Sequence, residues 1–80
     1  MDRKDILERI VKVTAKVLRV EPAIIKPDSN FAFDLGAEST QSVQLVAAFE
    51  EEFDIELEGE EALAVQTVDG AADFVQKYLK

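Results

Sequence analysis

A small all-α domain is the fold predicted by the chain: an antiparallel four-helix bundle made of three main helices and one short helix, with a long loop after the first. Three observations predict it. Apolar residues recur at three- and four-residue steps in separate stretches. Turn-forming residues cluster between those stretches. The length, 80 residues, allows one thin core and no second one, so residues 1–80 are predicted as a single domain. Asp54-Ile55-Glu56-Leu57-Glu58 alternates like a strand but has no second strand to pair with, and is predicted as an extended connection.

The first helix is predicted from Asp2 or Arg3 to Val20. Ile6, Ile10, Val13, Val17 and Val20 form its apolar stripe, and Leu7, Val11 and Leu18 widen it. Its polar face carries Arg3, Lys4, Glu8, Arg9, Lys12, Lys16 and Arg19, where Asp5 with Arg9 and Glu8 with Lys12 are favourable i, i+4 pairs. Glu21-Pro22 ends it, because proline lacks the N–H and drives the preceding residue out of the α region. From there to Ala37 no period holds, and Pro27, Asp28, Ser29, Asn30 and Gly36 supply turn chemistry. A loop of about fifteen residues is long for a compact domain, and such loops are often functional. Ile24, Ile25, Phe31 and Leu35 are expected to pin it to the core.

The second helix is predicted from about Ser39 to Phe53, with Val43, Val46, Phe49 and Phe53 inward and Leu45 and Ala48 beside them. Glu60 to Ala64 or Val65 is predicted as one or two helical turns after Gly59. Thr67 caps a last helix to about Leu79, with Val68, Ala71, Ala72, Val75 and Leu79 inward and Phe74 and Tyr78 flanking. Lys77 and Lys80 suit its C-terminal dipole.

Composition excludes much chemistry. With no Cys and no His there is no Ser-His or Cys-His pair, no thiolate and no ordinary zinc site, so a non-catalytic protein is expected. Asp28-Ser29-Asn30 opens like a calcium loop, but Phe33 stands where that loop needs Gly and Ser39 where it needs Glu, so no metal is expected. Without Cys nothing points to an oxidising compartment. The longest apolar run is five residues, Leu45 to Phe49, too short for a membrane span. A cytoplasmic monomer is the expectation. Residues 1–26 carry seven Lys/Arg against four Asp/Glu, and residues 27–80 carry two against thirteen. A chain so acidic in its later part repels nucleic acid and attracts basic protein patches, although a solubilising face has the same composition.

The stretch Phe33-Asp34-Leu35-Gly36-Ala37-Glu38-Ser39-Thr40-Gln41-Ser42-Val43 places a hydroxyl between a Gly-containing loop and an apolar-periodic run. Ser39 is thus predicted at or next to the first turn of a helix. Unpaired N–H groups and the positive dipole end favour a phosphate ester there. Ser39 is the candidate attachment point; a plain helix cap is the other reading of the same residue.

Asp34-Leu35-Gly36-Ala37-Glu38-Ser39 resembles the Asp-Leu-Gly-Ala-Asp-Ser-Leu motif of acyl carrier proteins. The likeness continues through Val43, Leu45-Val46, Glu50-Glu51-Glu52-Phe53-Asp54, Glu60-Glu61-Ala62 and Thr67-Val68. The resemblance implies that a phosphopantetheinyl transferase links 4'-phosphopantetheine from coenzyme A to Ser39. It also implies that the thiol of this arm carries acyl groups as thioesters, for fatty-acid or specialised lipid biosynthesis. Polyketide or aminoacyl cargo is an alternative, and an unmodified acidic interaction bundle is the reading from another class.

Asp34, Leu35, Gly36, Ala37, Glu38 and Thr40 frame the attachment in that motif. Gln41, Gln44, Glu50, Glu51 and Glu52 are expected to dock acyl-loading and acyl-processing enzymes through basic patches. Val43, Val46, Ala47, Ala64 and Ala72 are expected to leave room for an acyl chain, alanine also being simply the best helix former. The chain departs from the motif at Glu38, where Asp is usual, and at Thr40, where Leu is usual. Gln41 and Gln44 replace usual acids, and Phe33 stands at an often acidic position. These departures imply a specialised carrier with dedicated partners.

Overall fold

In the computed structural model, which describes residues 1–79, α1 spans Arg3–Leu18, α2 Ser39–Phe53, α3 Gly59–Ala64 and α4 Val68–Tyr78. A single 3-10 turn, Pro22–Ile24, lies in the long first loop, with proline at its start where a missing N–H costs nothing. The all-α bundle predicted from periodicity is the architecture observed, three longer helices and one short one. Lys80 lies outside the described residues.

α1 packs against both α2 and α4, and α3 closes onto α2. Its buried stripe is Ile6, Ile10, Val13, Thr14, Ala15 and Leu18. Opposite it α2 buries Leu45, Phe49 and Phe53, and α4 buries Val68, Ala71, Ala72 and Val75. Phe31 from the loop meets Phe49 with ring centroids 6.5 Å apart, so the loop contributes an aromatic side chain to the core. Arg3 joins the start of α1 to the outer face of α4 through ion pairs with Asp69 and Asp73. The hydrogen bonds that its guanidinium donates to Asp69 and then to Asp73 raise its pKa above the ordinary value.

The structure corrects several boundaries and faces. α1 stops at Leu18 rather than Val20, because Arg19 takes the left-handed conformation (φ 57°) and donates its N–H to the Ala15 carbonyl. The inward stripe follows Thr14 and Leu18, and Val17 is only half-buried. Thr14 Oγ1 is fully enclosed and has no hydrogen-bond partner, which costs about 1–3 kcal/mol. Ile24, expected as a loop anchor, is 52% exposed, while Ile25, Phe31 and Leu35 are buried. Val43, expected inward, is 57% exposed, since Leu45, Phe49 and Phe53 already fill the side of α2 that faces the core.

Residues 54–58 form no strand, as expected of an unpartnered segment. Among the described residues there is one isolated bridge that periodicity does not reveal, antiparallel between Asn30 and Thr67. There the Phe31 N–H reaches the Gln66 carbonyl at 2.9 Å, and the Val68 and Asp69 N–H groups reach the Ser29 and Pro27 carbonyls at 3.1 and 2.7 Å. These bonds fasten the loop to the junction of α3 and α4.

Among the described residues no helix is long and apolar enough to cross a membrane, and no group of His, Cys, Asp or Glu is placed to hold a metal ion.

Candidate functional site: the turn into α2

The segment before Ser39 is a closed turn whose hydrogen bonds are nearly all local. Asn30 Oδ1 accepts from the Ala32 and Phe33 N–H groups, both at 2.9 Å. The Asn30 carbonyl accepts from Asp34 and Leu35 at 2.9 and 3.1 Å, and Asp34 Oδ2 accepts from the Asn30 N–H at 2.6 Å. Gly36 bonds back to Ala32 at 3.1 Å and Ala37 to Phe31 at 2.8 Å, so the chain from 30 to 37 folds onto itself.

Each motif residue has a task in this frame. Asp34 ties the turn shut, buried Leu35 anchors it beneath, and half-buried Ala37 packs on the core. Gly36 sits at φ +74°, where a side chain is disfavoured although its Cβ position is otherwise open. Asn30 is a site residue that motif reading undervalues. Its signal was the ordinary tendency of Asn to bond its own backbone two residues on.

α2 then begins with Glu38 at the N-cap and Ser39 as its first helical residue. Gln41 Oε1 accepts from the Glu38 N–H at 3.0 Å, and the Glu38 carboxylate faces the Gln41 N–H in return, a capping box. Ser39 is therefore not the cap: Glu38 holds that position, and Ser39 stands exposed one residue on, next to exposed Thr40. Gln41, expected to meet partners, is half-buried and part of this cap, whereas Gln44 is exposed.

The acidic run at the other end of α2 is also not uniform. Glu50 Oε2 accepts from the Leu57 N–H at 2.8 Å, and so holds the connection to α3. Glu52 is half-buried and faces Arg9 of α1 at 3.6 Å. Glu51 is exposed and borders a groove between α1 and α2 together with Lys12, Lys16 and Gln44. The exposed acids without such duties are nearer α3. Glu56, Glu60 and Glu61 lie exposed there, and the Glu58 carboxylate accepts the Glu60 and Glu61 N–H groups to cap the short helix.

Two apolar hollows adjoin the site. One, a small, partly open cleft of about 30 Å³ between α2, α3 and α4, is lined by Phe31, Phe49 and Phe74 and has Ser42 as its polar lining residue. The other, a shallow groove of about 180 Å³, runs between α2 and α3 along Val43, Val46, Ala47, Glu50, Gly59 and Leu63. Val46 lines both, and Val43 and Ala47 line the groove. Ala64 is exposed and Ala72 wholly buried in the core, and neither lines these hollows. Ala71, one residue earlier than Ala72, is the α4 alanine that faces the cleft.

An exposed hydroxyl at the first residue of a 15-residue helix fits a phosphodiester: the ester reaches solvent, and the positive helix end favours its charge. A family model described as the phosphopantetheine attachment site matches residues 8–75, and the protein belongs to that family. Membership implies a covalently attached 4'-phosphopantetheine and makes the chain a phosphopantetheine carrier, in line with its resemblance to acyl carrier proteins. Domains of this kind are generally non-catalytic, and they work with a phosphopantetheinyl transferase and further enzymes.

Proposed function

We propose that the chain is an acyl carrier whose attachment residue is Ser39, acting in fatty-acid or specialised lipid biosynthesis. The observation that supports this most is the exposed position of that hydroxyl at the start of α2, left free of capping by Glu38. When bound, the arm supplies a terminal thiol that carries acyl groups as thioesters. The chain contributes no thiol of its own to compete for them.

The protein's own residues divide the remaining work. The closed turn from Asn30 to Ala37 holds Ser39 forward to the transferase. Glu56, Glu60 and Glu61, beside the groove of Val43 and Leu63, offer acid and apolar surface to the basic patches of loading enzymes. Such charge speeds encounter more than it tightens the complex, which suits a carrier that must leave each partner in turn. Glu51 and Gln44 extend this surface along α2.

Intact mass tests the reading. Coexpression with a broad-range phosphopantetheinyl transferase is expected to add one arm to the wild type and none to Ser39→Ala; a wild type that stays at its unmodified mass overturns it.

The cleft favours a second reading of the cargo. Its cavity volume of about 30 Å³ takes a water or two, at roughly 10–15 Å³ for each, and not a hydrocarbon tail, so an acyl chain enters only if α2 and α3 part. A polyketide or aminoacyl intermediate held outside needs no such opening. Spontaneous hydrolysis separates the two. Burial slows loss of an octanoyl thioester relative to an acetyl one on the same protein, and equal rates argue for cargo outside the bundle.

A further inference from the structure

We infer that Phe33 is a docking residue for the phosphopantetheinyl transferase, an apolar anchor beside the attachment serine; this rests on Ser39 being the residue modified. Phe33 is 90% exposed, more than any other large apolar side chain among the described residues, so its ring contributes almost nothing to the core. It is nonetheless held in place. Its N–H is bonded to Asn30 Oδ1, its neighbour Asp34 closes the turn through the Asn30 N–H, and Leu35 is buried two residues on. An aromatic ring projected into water from a fixed backbone loses little freedom when a partner covers it, and this is the usual character of an interface anchor.

The identity of the partner follows from the chemistry. Enzymes that load or unload the thiol work at the far end of an extended arm. The transferase must instead form a bond to Ser39 Oγ itself, so its surface has to cover the residues around that atom. A standard interface takes in about 800 Å² and 20–30 residues a side. Centred on Ser39, that footprint includes the turn that ends two residues earlier at Ala37. Thr40, next to the serine, is polar and exposed, which leaves Phe33 and Val43 as the large exposed apolar side chains flanking Ser39 in the chain. From Pro27 to Glu38 that loop carries exposed Asp28, Asp34 and Glu38 and no base, its exposed Lys26 lying farther back from the serine. The complementary surface is an apolar socket bordered by Lys or Arg.

The test follows arm addition by intact mass as the concentration of apo protein is varied, with a broad-range transferase and saturating coenzyme A. Phe33→Ala is expected to raise KM about tenfold and leave kcat within about twofold, and Phe33→Leu to recover most of the loss. Urea midpoints of both variants are expected to match the wild type, since the ring is in solvent. A Phe33→Ala KM within about twofold of wild type overturns the inference, as does a loss of rate that tracks a lowered urea midpoint. Failure of the Ser39 reading looks different, because the wild type itself then gains no arm.

Discussion

At the N-terminal end of α2 polar groups hold the backbone and leave one side chain free, whereas at its C-terminal end Glu50 and Glu52 are engaged by neighbouring elements. Asn30, Asp34, Glu38 and Gln41 spend their hydrogen bonds on the turn and the cap, and Ser39 and Phe33 stand out from that frame. Eleven and thirteen residues after Ser39, Glu50 secures Leu57 and Glu52 faces Arg9. Glutamates with the same charge thus do different work, and acidity in a sequence does not by itself mark a docking face.

Removing the anchor beneath the turn tests the first end hardest. Leu35→Ala is expected to cost about 3 kcal/mol in urea unfolding, because it empties a buried site while leaving every polar residue of the motif in place. A cost under about 1 kcal/mol means that the turn is held by its hydrogen bonds alone. The second end is tested by reversing two adjacent charges. Glu50→Lys is expected to cost about 2 kcal/mol, since the carboxylate that accepts the Leu57 N–H is lost. Glu51→Lys, on exposed surface, is expected to stay within about 0.5 kcal/mol of wild type. Equal effects at the two positions remove the distinction drawn between them. Partner transfer is best probed with Glu51→Lys, because its effect is not mixed with unfolding.

The elements whose signals are periodic were legible before the fold was known. α2 runs from Ser39 to Phe53 as predicted, and α4 buries Val68, Ala71, Ala72 and Val75 as predicted. Faces were harder to read where both sides of a helix are apolar: Val43 reads as core in a period of three and four, yet Leu45 fills the core position instead. Thr14 is not legible as core, because a hydroxyl in a buried stripe contradicts the apolar periodicity that marks one. The loop was predicted as a loop, but its internal order was not. The bridge of Asn30 to Thr67 joins residues far apart in sequence, and no local propensity encodes that pairing. For the site, the position of Ser39 near a helix start was legible. Its release from capping was not, since Glu is an uncommon cap and Gln41 does half of the work.

That bridge has a consequence for the order in which the molecule is completed. The whole attachment motif has been made once residue 40 is joined, yet the backbone that squares it up against the core is contributed by Gln66, Val68 and Asp69. A chain cut short of Gln66 keeps all the letters of the motif and lacks the brace behind them. Newly made protein is accordingly ready for its tether only once the chain has grown past Asp69.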